Sequence, residues 1–235
     1  MDIPPDKNIL FHSHLGLGDQ IGCIGLVHYL ADTYKRKIGV VCKECCLRNV
    51  EFLYKDFPNI QVFPVSSNPS EEISQVDNLA KEKNYHLVRT TITDPHDEYW
   101  DKTHYSNLGL DYQIKFDYCK LPTIPNSEEI LSRVGDITGD SEKFAFVHDD
   151  EDLGLTFEYN TSLPVVKNQK DLNLFEMIPI LEKASEIHVM GSSLLCLAEV
   201  LNVPLGHQKA FFYSFRDTHS VGINIWNKDK WKIFS

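Results

Sequence analysis

The feature that most constrains this chain is an order. Short apolar runs alternate with longer stretches that carry apolar residues at helical spacing. Asn8-Ile-Leu-Phe-His12 reads as a buried strand, and Gln20 to Tyr34 places Ile21, Ile24, Val27, Leu30 and Ala31 on one helical stripe. Lys37 to Cys42 is a second strand, Leu47 to Tyr54 a helix, Ile60 to Phe63 a strand, Ser70 to Lys83 a helix and His86 to Ile92 a strand. The alternation resumes with strands at 143–148, 164–166 and 186–190, a helix over 173–183 interrupted by Pro179, and a helix over 192–201. Runs this short and this apolar, separated by helices, belong to parallel sheets covered on both faces. The expected fold class is therefore α/β, in two Rossmann-like halves.

Between the halves the pattern lapses. Asp94 to Tyr118 is aromatic and acidic, and Leu121-Pro-Thr-Ile-Pro125 reads as an extended linker, since each Pro removes a donor and restrains its neighbour. The boundary is placed at residues 124 and 125, giving domains 1–124 and 125–235.

Composition narrows the function classes. Hydrophobic residues make up 42% and charged residues 24% of 235 positions, enough to build a core and inconsistent with a disordered chain. The formal charge of −11, with no dense basic run, speaks against general nucleic-acid binding. No apolar stretch approaches the ~20 residues a spanning helix needs, and the first residues lack the order of a secretory signal. Six cysteines do not form a disulfide framework, so a reducing, cytoplasmic location is expected, the host cytoplasm for a viral chain. Cys42-x-x-Cys45-Cys46 hints at zinc but falls short of the four ligands a structural site needs.

Three segments carry chemistry. In His12-Ser-His14-Leu-Gly16-Leu-Gly18-Asp19 a strand runs into a glycine turn and then a helix, so a ligand can approach the backbone closely. Asp19 at this turn suits a general base facing a hydroxyl, or equally a helix N-cap. The same glycines, with Gly22 and Glu44, match a dinucleotide fingerprint weakly, and a carboxylate at the turn would repel pyrophosphate. Gly191-Ser192-Ser193 opens an apolar helix after a strand, which makes either a phosphate clamp or an ordinary cap. His148-Asp149-Asp150 lies at the carboxyl end of a strand, where open α/β sheets bind ligands, although a surface turn accounts for it as well.

Taken together, these segments resemble the GT-B glycosyltransferases, specifically the heptosyltransferase-like group and its compact viral and bacterial relatives. His14-Leu-Gly-Leu-Gly-Asp19 resembles the opening strand, turn and helix whose Gly-Asp pair carries the catalytic base. Phe144 to Asp150 resembles the first strand and donor loop of the C-terminal half. Ser185 to Ser193 and Leu197 to Leu201 resemble the elements that hold the donor's phosphates, and Trp231-Lys-Ile resembles the terminal segment of the compact members. The resemblance implies a GT-B arrangement with a cleft between the halves. It implies a hexosyl- or pentosyltransferase that moves a sugar from a UDP- or GDP-linked donor to a glycan hydroxyl with inversion, and without metal or other cofactor. Asp19 would be the base; His14, Gly16 and Gly18 would line the acceptor side; His148, Asp149, Asp150, Val166, Lys167, Ser192 and Ser193 would hold the donor. Gly191-Ser192-Ser193 stands where heptosyltransferases usually carry Asp-Thr-Gly, and no Arg follows His148-Asp-Asp150, so Lys167 and Lys170 are the nearest cations. Two other classes fit the residues: a nucleotide- or glycan-binding protein without turnover, and an NAD(P)-dependent oxidoreductase built on Gly16, Gly18 and Glu44.

Overall fold

The computed structural model describes residues 2–13, 16–91, 99, 101–139, 141–151, 154–201, 209–214 and 230–234. The chain divides into two compact units, Met1–Thr123 and Ile124–Ser235.

Unit 1 begins with β1 (Ile9–Ser13), α1 (Leu17–Gly22), α2 (Ile24–Tyr34) and β2 (Ile38–Lys43). A 3-10 turn (Glu44–Cys46) leads into α3 (Leu47–Tyr54), β3 (Ile60–Val65), α4 (Pro69–Glu82) and β4 (His86–Thr90). Two short helices, α5 (Lys102–Ser106) and α6 (Ile114–Asp117), complete it. All strand pairings are parallel, in the order β3-β2-β1-β4. β1 is buried along its whole length because helices cover both faces: Leu10 packs with Val41, Val65, Val76 and Ala80 under α4. Ile21, Ile24, Val27 and Leu30, the stripe visible in the sequence, are fully enclosed. Each such side chain contributes about 1.5–3 kcal/mol on burial.

The helix expected over 20–34 starts earlier and is broken. Leu17, Gly18 and Asp19 form the first turn of α1, so Asp19 is a helical residue rather than part of a preceding turn. The break falls at Cys23, where the carbonyl of Gly22 accepts the phenol of Tyr105 at 2.8 Å. Gly25 marks a second constraint. A Cβ there would sit 2.5 Å from the backbone carbonyls of Ile114 and Lys115, so α2 and α6 touch backbone to backbone. The aromatic, acidic segment is thereby drawn into the core: Tyr105 is fully buried, Tyr112 donates to Asp101 at 2.7 Å, and the buried Lys115 pairs with Asp101 at 2.6 Å.

Unit 2 starts with α7 (Ser127–Thr138), a helix that follows directly on the Leu121–Pro125 run read from sequence as a linker. It continues through β5 (Ala145–His148), β6 (Val165–Lys167), a 3-10 turn (Leu174–Met177), α8 (Ile178–Lys183) and β7 (Glu186–Met190). α9 (Ser193–Val200), β8 (Lys209–Tyr213) and β9 (Trp231–Phe234) complete the described elements. Pro179 does not interrupt a helix. It occupies the first turn of α8, where a missing N–H costs nothing. The strand order is β6-β5-β7-β8-β9, again with parallel pairing throughout. The tail residues Phe211 to Tyr213 and Trp231 are thus sheet strands.

Both sheets reverse direction once. In unit 1 the chain builds outward from β1 to β3, then returns to place β4 on the other side of β1. In unit 2 it builds from β5 to β6, then returns to place β7 beside β5. Carboxyl ends at such a reversal form the crevice in which open α/β sheets bind ligands.

Candidate functional site

Asp19 lies beyond the carboxyl end of β1, at the reversal point of unit 1. Its environment is built by α1. Gly16 is the N-cap, and its N–H donates to Asp19 Oδ2 at 3.0 Å, so the carboxylate closes back on the helix start from the third helical position. Gln20 anchors this turn to the sheet, donating to the Val41 carbonyl at 3.0 Å and to Ser13 Oγ at 3.3 Å. Asp19 is therefore not the exposed N-cap considered from the sequence. It is a buried residue, 6% exposed. A Cβ at Gly16 would meet no heavy atom within 4 Å, so open space borders the turn on that side. Gly18 lies inside the first turn of α1, and His14 falls outside the described residues.

Sequence reasoning missed the other partner of this carboxylate. His104, on α5 and fully buried, brings Nε2 to 3.3 Å from Asp19 Oδ1. Its Nδ1 lies 3.0 Å from Oγ1 of Thr90, the last residue of β4. The side chains that follow β1 and β4 thus meet across the reversal point. The two residues are 85 positions apart, and His104 sits among aromatic and acidic residues that show no motif. Only the three-dimensional pairing reveals it.

A separate polar chain, buried at His12 and Glu72, ties α4 to the sheet. Arg89 Nε donates to His12 Nδ1 at 3.1 Å, so the ring proton is on Nε2, which donates to Glu72 Oε1 at 2.8 Å. Arg89 also reaches Asp77, and Lys43 stands 3.8 Å from Glu72. These charges are consumed in packing.

At the reversal point of unit 2, His148 ends β5 and Asp149 follows it. Asp149 is 6% exposed and accepts from Lys167 Nζ at 3.0 Å; Lys167 also pairs with Glu151. These two carboxylates, Glu151 first, raise the affinity of Lys167 for its proton well above the ordinary lysine value. Asp150 and Leu155 exchange backbone hydrogen bonds of 2.8 Å across a tight loop in which Gly154 adopts φ +67°. Asp152 lies outside the described residues. Val166 is fully enclosed in β6, so only its backbone can reach a ligand. β7 delivers Gly191 to the start of α9. Ser192 is the N-cap, its Oγ accepting from Leu194 N–H at 3.2 Å, and Ser193 is the first helical residue. Both serines are half-buried, and the N–H groups of the first turn make up the positive end of an apolar helix. Because β5 and β7 are paired neighbours, with His148 opposite Val189, the Asp149 and Ser192 loops emerge side by side.

Elsewhere on this sheet His188 is buried. Its Nδ1 lies 2.8 Å from the Tyr213 hydroxyl, and its ring stacks on Phe211 at 4.4 Å; burial lowers its proton affinity. Among the described residues no group of three or more His, Cys, Asp or Glu side chains is arranged to hold a metal ion. Cys42 is buried in β2 while Cys45 is exposed, and all six cysteines are free thiols. Glu44 is exposed in the turn after β2. An open cavity of about 560 Å³, lined by Lys37, Tyr54, Lys55 and Asn59 among others, lies around the amino-terminal end of β3, away from the reversal point of unit 1. No helix among the described residues is long and apolar enough to cross a membrane.

No protein-family model matches the sequence, and no curated protein does. Solved structures do match. A glycosyl transferase family 9 protein from Veillonella parvula is 10% identical, with a TM-score of 0.61 over 100% of this chain and 88% of that one. The Escherichia coli ADP-heptose lipopolysaccharide heptosyltransferase II is 11% identical, with a TM-score of 0.55 over 97% and 90%. The iron-containing dodecameric glycosyltransferase TibC from enterotoxigenic E. coli is 14% identical, with a TM-score of 0.54 over 100% of this chain and 63% of that one. At these identities the likeness establishes the fold: two Rossmann-like, parallel-sheet halves of the GT-B glycosyltransferase type.

Proposed function

We propose that this chain is a glycosyltransferase that moves a sugar from a UDP- or GDP-linked donor to a glycan hydroxyl with inversion. The observation that carries the reading is the position of Asp19. A buried carboxylate, held by hydrogen bonds on both oxygens and bordered by open space at Gly16, lies at the reversal point of a parallel sheet. In the proposed step the acceptor O–H proton passes to Asp19 as the oxygen bonds to the anomeric carbon. The bond from that carbon to the donor's diphosphate breaks, and its electron pair leaves with the diphosphate. The start of α9, with Ser192 and Ser193, would receive that charge, beside the loop that follows His148. Lys167 contributes little net charge there because Asp149 and Glu151 already hold it.

Nothing in this chemistry calls for a redox or metal cofactor. A dinucleotide-dependent oxidoreductase is the weaker reading. The Gly16 N–H, which would face pyrophosphate in such a fold, is occupied by the Asp19 carboxylate. The test is a panel of UDP-, GDP- and ADP-sugars and NADH, read by thermal shift and by nucleoside-diphosphate release. A ligand at 100 times its Kd stabilises the fold by ~2.7 kcal/mol. The expected outcome is stabilisation by a sugar nucleotide and release that survives EDTA. Stabilisation by NADH alone, or release abolished by EDTA and restored by Mg²⁺ or Mn²⁺, would overturn it. Stabilisation by a sugar nucleotide without release would mark a binding protein.

A further inference from the structure

We infer that His104, oriented by Thr90, is a positioning residue for Asp19 and sets the direction in which its carboxylate meets the acceptor hydroxyl. The inference rests on Asp19 being the base.

The geometry fixes the protons. A carboxylate oxygen accepts only, so the 3.3 Å contact from His104 to Asp19 Oδ1 requires the proton on Nε2. In the neutral ring Nδ1 is then an acceptor, and Thr90 donates its hydroxyl proton to it across 3.0 Å. The chain of donation runs Thr90 to His104 to Asp19. It ends on one carboxylate oxygen, while the Gly16 N–H ends on the other. With an N–H on each oxygen from a different direction, rotation of the carboxylate is restrained, and each oxygen has a second lone pair that can take an incoming proton.

Packing alone does not account for this choice of residues. Thr90 and His104 are 1% and 0% exposed. A threonine hydroxyl and an imidazole taken out of water are costly unless satisfied, whereas apolar residues of the same volume would fill the space without polar partners. What the polar pair supplies is a directional restraint on one carboxylate. Thr90 ends β4 and Asp19 follows β1, so the restraint spans the strands that flank the reversal point. Proton transfer is sensitive to such placement: a shift of ~1 Å costs on the order of 100-fold in rate.

The test uses the full chain and the sugar nucleotide from a UDP, GDP and ADP panel that it turns over, with nucleoside-diphosphate release as the signal. His104→Ala should lower kcat about 10- to 100-fold while leaving KM for the donor unchanged. His104→Gln, which keeps an N–H donor, should recover part of that loss. Thr90→Val should show a smaller fall in kcat, and Thr90→Ser, which keeps the hydroxyl, should recover it. Long-range ¹H–¹⁵N spectra of histidine-labelled protein should find the His104 proton on Nε2; this readout needs neither turnover nor a variant that folds. A proton on Nδ1 alone would overturn the inference. So would wild-type kcat in His104→Ala with a lowered melting temperature, or a raised KM at unchanged kcat. Asp19→Asn in the same assay separates the two levels. If it is slow while His104→Ala is fast, positioning fails and Asp19 remains the base. If Asp19→Asn turns over normally, both fail.

Discussion

The two reversal points share a topology and differ in construction. In unit 1 the groups after β1 and β4 are buried and bound to one another: Asp19 to Gly16 and His104, and His104 to Thr90. In unit 2 the serines that open α9 are half-buried, while the loop after β5 carries the buried Asp149, held by the more exposed Lys167. A buried, cross-braced carboxylate is what proton transfer requires, since its efficiency depends on placement. A half-exposed helix start with backbone N–H groups is what anion binding requires, since the ligand must enter and leave. Under the proposed function, one sheet plan would support two kinds of site through the residues set at its carboxyl edge.

The largest effect that can break this contrast comes from Asp19. Asp19→Asn should lower nucleoside-diphosphate release ~10²–10⁴-fold. The amide oxygen still accepts from Gly16 N–H, and a modest fall in melting temperature is expected because the His104 proton must move to Nδ1 for Nε2 to accept from the amide NH2. Asp19→Ala should lose the rate and also ~1–3 kcal/mol of stability, because the Gly16 N–H and the His104 Nε2–H lose their acceptor. Normal release by the Asn variant would leave unit 1 with a helix-closing residue and no base.

Acid stability sharpens the contrast next. His28, buried on α2 against Phe57, has its proton affinity lowered to a pKa of about 4, chiefly by burial. The unfolded chain titrates that ring near ~6.5. Below that value the unfolded state holds more protons, so stability rises with pH in this window and is lost as pH falls. The loss should grow between about pH 6.5 and 4 to on the order of 3 kcal/mol. Urea denaturation at neutral and acid pH should show it, and His28→Gln should flatten it. An unflattened acid limb would move the sensitivity elsewhere, with the buried His188 of unit 2 the first alternative.

The smallest effect addresses unit 2. Ser193 is not the cap, so Ser193→Ala should leave the melting temperature unchanged. It should weaken nucleoside-diphosphate binding by ~1.5–3 kcal/mol, measurable by calorimetry. Unchanged affinity would remove the hydroxyl from the anion site and leave only backbone N–H groups there.

Much of the fold was legible because parallel strands and their covering helices impose local periodicity. The β1 run and the α2 stripe from Ile21 to Leu30 are examples. What escaped lacks periodicity of its own. α5 and α6 are only 5 and 4 residues long, and tertiary contacts such as the Tyr105 phenol on the Gly22 carbonyl bind this segment to its neighbours. α7 was hidden beside two prolines that read as linker. β8 took its identity from pairing with β7, and β9 from pairing with β8, which is visible only once the preceding strand is in place. At the candidate sites, the glycine turn and Ser192 were legible because capping chemistry is local in sequence. His104 was not, because its partners come from two other elements. The engagement of Lys167 was hidden for the same reason: its distance from Asp149 and Glu151 depends on how β5 and β6 pair.

The contact at Gly25 has a consequence for how this protein can vary. With 2.5 Å between an added Cβ and the carbonyls of Ile114 and Lys115, even alanine must wedge α6 away from α2. α6 belongs to the same short segment as His104, and α2 continues from the helix that carries Asp19. A methyl group here would act as a lever whose far arm is the 3.3 Å contact between imidazole and carboxylate. In a mutational screen scored by turnover, position 25 would therefore register as an active-site residue, although its own atoms only hold two backbones together.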